Sequence, residues 1–496
     1  MSAHVARYWA RTSDQVGYFL AGKAFIHGNW RLHGWTLTPP DFWTSDIPLS
    51  GLLSVAWAGL GHSPISPLLL AFQPAVTWTA LVASLIAVVR LRLVAASARW
   101  GATLLVLTLF AVPLLTVETA YFVTLSAIHL GSLIYGVWAL HHAARYLETG
   151  RYGHLTACGL LAFLGIVGDP LLQVMITLPV LLFCISRFSE RYENRGRLAR
   201  LGSIMLAMAV LAPMAIAINQ STGGFAVEPL NPQFVAWQDI GGTLSTFFHD
   251  VLLAFGADPF GHPVKESVPT FLHFILLGLC LWQAGRLLLR TGSCGDGQGK
   301  DPFFSILLLA TLCNAASLVL SNRISAEAFS IASVRYFFPG WATLCLVMAL
   351  CCARQKAVLA VAGLTLAFTI KADARLIAHP PPTFLQADDG GALLDTLLHE
   401  EPSIGIGTWW HSLTYEIASQ GSLTVLPAVT DGNGHVVPFQ HIHENFSFDE
   451  LTHHSFFVLV PSPTETYDEA AVLRTFGAPT ARRQIGRFVI LRYQRK

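Results

Sequence analysis

From about residue 64 to residue 372 the chain alternates long apolar stretches with short polar ones. Ten stretches read as membrane-crossing helices: near 65–89, 101–115, 119–140, 154–168, 170–186, 200–218, 268–287, 303–320, 334–352 and 356–371. A bilayer core needs about 20 such residues. Several stretches are short, and the pairs meeting at Glu118 and at Asp169-Pro170 read as tight hairpins. Before this block, residues 14–27 repeat apolar positions at helical spacing, with Asp14 placed to N-cap and Gly28-Asn29 to stop the helix. Residues 30–46 are aromatic, contain Pro39-Pro40, and cannot form a regular helix. A second apolar helix runs from about Ile47 to Leu60, too short to span, with Asp46 as its N-cap. Trp30, Trp35, Trp43 and Trp57 suit a membrane–water interface.

After residue 372 the pattern changes. Helices are predicted at 391–401, 409–420 and 468–476, strands at 403–407, 423–429, 456–460 and 486–493, and a turn at 431–434. Strands alternating with helices predict a small α/β sandwich with a largely parallel sheet. The fold class is therefore mainly α: a polytopic transmembrane bundle of about ten spans, with outer juxtamembrane helices and a C-terminal α/β domain. The boundaries are 1–63 for the outer interfacial segment, 64–372 for the membrane domain with an outer-loop helix at 231–258, and 373–496 for the soluble domain.

Composition sharpens this picture. Of 496 residues 53% are hydrophobic and 12% charged, with mean hydropathy +0.52. Collagen, disorder and a disulfide-stapled secreted fold are excluded. A net charge of +1 gives no reason to expect nucleic acid. Residues 373–496 carry a net −6 and the remainder +7. Arginine and lysine gather in alternate loops, at Arg90–Arg99, Arg145–Arg151, Arg187–Arg200, Arg286–Lys300 and Arg354–Lys356. The positive-inside rule makes those loops cytoplasmic and puts 1–64, 219–267, 321–333 and 373–496 outside. The eight cysteines all fall in or near spans or in a cytoplasmic loop, and no zinc spacing is visible. No apolar span precedes the outer segment 1–64, so a first transmembrane helix missing from this chain is expected; unaided translocation of the tail is the alternative.

The run Asp14, Tyr18, Ala21, Gly28-Asn29-Trp30, then Asp41-Phe42-Trp43-Thr44 and Asp46-Ile47-Pro48, resembles the first outer loop of GT-C-type membrane glycosyltransferases. Relatives in that class include lipid A aminoarabinose transferases and protein O-mannosyltransferases. The resemblance is to a bacterial branch with a C-terminal soluble domain, and extends as architecture over residues 14–340. It implies an inner-membrane enzyme that takes a sugar from a polyprenyl phosphate. The acceptor would be a lipid, glycan or protein outside the cytoplasm, and a loop carboxylate would be the base. Where the family has an Asp-Glu pair, this chain has Asp14-Gln15. No cofactor is implied outright, and a divalent metal stays open.

Such chemistry needs a proton acceptor, a cation or metal for the leaving phosphate, and a cavity reached from the bilayer. Asp14 and Asp46 are the candidate bases, each with helix capping as the alternative role. Asp41, Glu118, His129, Asp169, Arg323, Arg335 and Tyr336 are candidate substrate contacts. Asp41 could equally be a loop residue, Asp169 a turn former, and His129 a core histidine. Arg323 and Arg335 stand outside against the charge bias. A guanidinium at headgroup depth can grip a phosphate bidentately, or it can anchor to headgroups or pair with Glu327. In the soluble domain, Gly405-Ile406-Gly407 lacks the third glycine of a phosphate loop. His441-Ile442-His443 has strand spacing that would put both rings on one face, as a metal pair needs, but no third ligand is evident and ordinary surface histidines are the expected reading. The rival readings are a non-catalytic scaffold of the same fold and a transporter of lipid-linked substrates. The absence of internal repeats counts against the transporter.

Overall fold

The computed structural model describes residues 12–125, 127–189, 194–229, 232–261, 263–264, 267–291, 301–322, 331–379 and 390–494. The outer segment forms helix α1 (Ser13–Ile26), strand β1 (Trp35–Leu37) and helix α2 (Asp46–Gly59). The capping differs from the expectation. Thr12 is the N-cap of α1: its side chain accepts the Gln15 N–H, and the Gln15 side chain accepts the Thr12 N–H in return. This capping box gives Gln15 a local purpose and leaves the Asp14 carboxylate free to act elsewhere. Helix α2 starts without a side-chain cap, so Asp46 is not spent on the helix end.

Six described helices are long and apolar enough to cross a membrane: Pro67–Arg92, Arg195–Ser221, Val268–Leu287, Pro302–Leu320, Ser333–Cys352 and Lys356–Ala378. Shorter apolar helices lie at Ala96–Ala111, Tyr152–Gly168 and Gln173–Phe188. The chain is a multi-pass membrane protein. Burial orders the bundle. The apolar window of Ser333–Cys352 is 72% buried, whereas that of Arg195–Ser221 is 17% buried. The first is therefore central, packing Trp341 against Phe110 at 4.1 Å between ring centroids. The second presents Leu206, Val210, Met214 and Ile218 outward.

The span expected at 119–140 is not continuous. A short helix, Glu118–Val123, stops, and the next runs Leu130–Thr149 from a left-handed His129 (φ 74°). Unwound backbone at this position is tolerable only inside protein; the Ala127 N–H is accepted by Asp46 and the His129 ring by Asp169. The outer-loop helix is also shorter than expected, a 3-10 turn at Trp237–Asp239 leading into Ile240–Ala254.

Among the described residues two sheets lie beyond the bundle. A three-stranded one has β1 parallel to β2 (Ala226–Val227) and antiparallel to β6 (His443–Glu444). It ties the outer segment, the long outer loop and the C-terminal domain together. The C-terminal sheet has order β5-β4-β3-β7-β9-β8, from β3 (Ile404–Thr408), β4 (Thr424–Thr430), β5 (Val436–Pro438), β7 (Phe456–Pro461), β8 (Ala481–Ile485) and β9 (Phe488–Tyr493). Its centre, β4-β3-β7, is parallel and its flanks are antiparallel. The sheet is thus mixed rather than largely parallel, because short turns at 431–435 and 486–487 can join only antiparallel neighbours. Gly405 and Gly407 lie inside β3, where the Phe457 ring occupies the space a Cβ at Gly405 would need. They are packing glycines, not a phosphate loop.

Candidate active site

The loop after β1 is pinned from both sides. The Tyr18 hydroxyl donates to the Pro40 carbonyl at 2.8 Å and shares a 2.5 Å hydrogen bond with Thr38. The Phe42 N–H donates to the Gly168 carbonyl at 2.9 Å. Over this loop lies a cavity of about 300 Å³. Its walls come from five distant stretches: Tyr18 of α1, the loop at Thr38–Phe42, Ala127–His129 before the helix Leu130–Thr149, Glu228-Pro229 of the long outer loop, and Arg335-Tyr336. His441 of the C-terminal domain closes it.

Two imidazoles that line this one cavity, His129 and His441, are each backed by a carboxylate. His129 Nδ1 meets Asp169 Oδ2 at 2.7 Å, and Asp169 Oδ1 also accepts the Leu171 N–H at 3.0 Å. His441 Nδ1 meets Glu228 Oε1 at 2.5 Å. In each, the carboxylate holds Nδ1 and leaves Nε2 without a hydrogen-bond partner among the described residues, the arrangement that makes an oriented base. Arg335 lines the same cavity. One of its terminal nitrogens donates to the Tyr336 hydroxyl at 3.0 Å, its guanidinium lies 4.9 Å from the Tyr336 ring centre, and its Nε is buried with no partner.

The carboxylates singled out in the sequence divide. Asp14 stands beside the cavity; Trp409 donates its indole N–H to Asp14 Oδ1 at 3.2 Å. Burial raises its pKa, and nearby His441 and Arg335 work in the opposite direction. Asp46 is saturated and does not line the cavity. Its Oδ1 accepts from Gln73 at 2.5 Å and from the Ala127 N–H at 3.2 Å, and its Oδ2 accepts from the Ser45 hydroxyl at 3.2 Å. Gly131 makes room for it: a Cβ there would fall 2.5 Å from Asp46 Oδ2. Burial raises the pKa of Asp46, against those hydrogen bonds. Asp41 is buried, accepts the Trp43 N–H at 2.9 Å, and is pushed up to about 8 by burial, with a lesser contribution from Asp169. Burial therefore favours its protonated form. Glu118 begins the helix Glu118–Val123, but its side chain lies outside the described residues, as does the whole of Arg323.

The His441 and His443 rings do not share a face as strand spacing would have it. Ile442 adopts a left-handed backbone (φ 46°), a conformation costing roughly 1–3 kcal/mol for a β-branched residue. The two rings therefore part: His441 turns into the cavity, and His443 stacks on Trp35 at 6.3 Å. Ile442 sits on α1 at Gly17, where a Cβ would come 2.8 Å from Ile442 Cγ2. Among the described residues no three His, Cys, Asp or Glu side chains converge as a metal requires. Glu228 escaped the sequence reading altogether. It lies in a long loop without periodicity, and only the pairing of β2 with β1 brings it to the cavity.

Sequence comparison finds no relative: no family model matches the chain, and no curated protein matches it significantly. Structure comparison finds a similar fold. The crystal structure of ArnT from Cupriavidus metallidurans bound to undecaprenyl phosphate superposes with a TM-score of 0.56 at 10% identity, over 99% of this chain and 95% of that one. The chain therefore shares the overall fold of that structure.

Proposed function

We propose that this protein is a glycosyltransferase that moves a sugar from a polyprenyl-phosphate donor to an acceptor outside the cytoplasm. The observation that carries the reading is Arg335. Its guanidinium, with a buried and unpaired Nε, faces a 300 Å³ cavity at the junction of membrane bundle and soluble domain. The fold is one in which ArnT was crystallised with undecaprenyl phosphate. The loop arginines favour an orientation with this cavity and the C-terminal domain on the non-cytoplasmic side.

In this reading Arg335 meets the donor phosphate and stabilises the charge that gathers there as the sugar–phosphate bond breaks. Tyr336 holds the guanidinium in place and offers its hydroxyl to the same oxygens. His129, oriented by Asp169, presents Nε2 to the sugar from the cavity floor. The nucleophile enters from the aqueous side and loses its proton to a base on the wall. Asp46 and Asp41, both turned into protein, hold the loop rather than touch substrate.

The test compares the glycolipid and glycan inventories of cells lacking the gene and cells restored with wild-type or Arg335→Ala protein. Deletion should remove a glycosylated product, wild type should restore it, and Arg335→Ala should not, at equal membrane abundance. Purified Arg335→Ala should also bind undecaprenyl phosphate at least tenfold more weakly. Identical inventories in all strains would defeat the reading.

A further inference from the structure

Resting on the glycosyl-transfer reading, we propose that His441, delivered by the C-terminal domain and backed by Glu228, is the proton acceptor for an acceptor hydroxyl. The soluble domain would then complete the catalytic centre rather than merely cover it.

The placement of His441 is built by several independent contacts. The strand pair β1–β6 brings residues 443–444 against the outer segment. Ile442 seats on Gly17 in its left-handed conformation, which turns the preceding side chain inward. The imidazole lies parallel to Phe439, at 5.1 Å and 16°, and meets the Trp409 ring edge-on at 4.8 Å. Trp409 in turn holds Asp14 through its indole N–H and receives the Ser13 hydroxyl on its carbonyl. The ring plane, the occupied nitrogen and the open nitrogen are thereby all fixed, which is what a general base needs.

Exposure separates the two imidazoles. The side chains of His129 and Asp169 are 5% and 1% exposed, those of His441 and Glu228 21% and 37%. The first pair sits on the floor; the second borders the side from which a water-borne acceptor arrives. The groups facing His441 suit a ring that becomes cationic during the reaction. Glu228 and Asp14 are acidic, Arg335 is the opposing cation, and Tyr18, Tyr336 and His129 complete the titratable lining.

The step balances. The acceptor oxygen forms a bond to the anomeric carbon while that carbon's bond to the phosphate oxygen breaks, its electron pair leaving on the polyprenyl phosphate beside Arg335. The hydroxyl proton passes to His441 Nε2. The resulting imidazolium is paired with Glu228 and later releases the proton to water.

The experiment uses the full chain in lipid nanodiscs and has two arms. Diethyl pyrocarbonate, with peptide mass spectrometry, reads whether the His441 ring is open to the cavity. His441 should be modified, undecaprenyl phosphate should slow that modification several-fold, and Glu228→Gln, which loosens the ring's anchor, should change its modification rate at fixed pH. An unreactive His441, or a rate that Glu228→Gln leaves unchanged, overturns the pair. In the second arm, membranes are assayed for the product identified by the inventory comparison. His441→Gln should slow its formation about 100-fold, with undecaprenyl phosphate affinity and thermal midpoint near wild type, and added imidazole should partly rescue His441→Gly. Full activity in His441→Gln, or Asp14→Asn alone abolishing transfer, overturns the assignment. Wild-type protein that makes no product would instead remove the transferase reading itself.

Discussion

Replacing Asp46 separates a carboxylate that does chemistry from one that holds a loop. Its two oxygens accept three hydrogen bonds, from Gln73, the Ala127 N–H and Ser45. Asp46→Ala takes the acceptor from two donors, the buried Gln73 amide and the half-buried Ala127 N–H. The Gln73 amide retains only a 3.4 Å contact with Thr77, and its own Oε1 is already unpaired. At about 1–3 kcal/mol for each orphaned donor, the loss is roughly 2–6 kcal/mol. Relief from burying a carboxylate offsets part of it. Asp46→Asn keeps an oxygen for Gln73 and Ala127 and places an amide near Ser45, whose hydroxyl can accept; its cost should stay below about 1 kcal/mol. Thermal unfolding of purified protein, read by intrinsic fluorescence alongside the product assay, tests both. Alanine should lower the midpoint by several degrees and lower activity only through lost protein, while asparagine should leave both near wild type. A well-folded Asp46→Asn protein with no transfer activity would refute the reasoning and return Asp46 to the chemistry.

Three further outcomes follow from the same geometry. The folded-state pKa of Asp41 near 8 lies above its unfolded value, so its contribution to stability is full below about pH 4 and is lost as pH rises to about 8. That swing is on the order of 5 kcal/mol at most. Asp41→Asn should therefore unfold at a higher temperature than wild type at pH 8 and lose that advantage at pH 4; a lower midpoint at pH 8 would contradict it. Asp169→Asn should retain the turn at Leu171 but lose the anionic partner of His129, cutting transfer roughly 10- to 100-fold without unfolding; unchanged turnover would remove His129 from the floor of the site. Gly17→Val should drive a methyl into Ile442, destabilise by about 1–3 kcal/mol, and accelerate amide exchange in residues 441–446; unaltered exchange there would show that Gly17 is not the seat.

Long-range strand pairing, not local pattern, is what hid half of the site. The spans, the two outer helices and most C-terminal strands were legible, because each is set by apolar periodicity over a window of neighbours. Arg335 and Tyr336 were legible too, since a basic residue on the outer side breaks the loop-charge rule. The hairpin acid Asp169 could be named, but not its partner: His129 reads as mid-span until the helix is seen to break ahead of it. The caps are not legible, because Thr12 and Ser45 stand within two residues of acids that also favour the cap position, and only backbone geometry chooses among them. Glu228 and His441 carry no local signal. They are 213 positions apart in the chain, and β2-β1-β6 pairing alone brings them to 2.5 Å. The sequence by itself therefore determined that this is a membrane bundle with an acidic, aromatic outer loop and a soluble tail. The tertiary structure decided which acids face a cavity and which are buried as struts, because hydrogen-bond saturation depends on what the rest of the chain brings alongside.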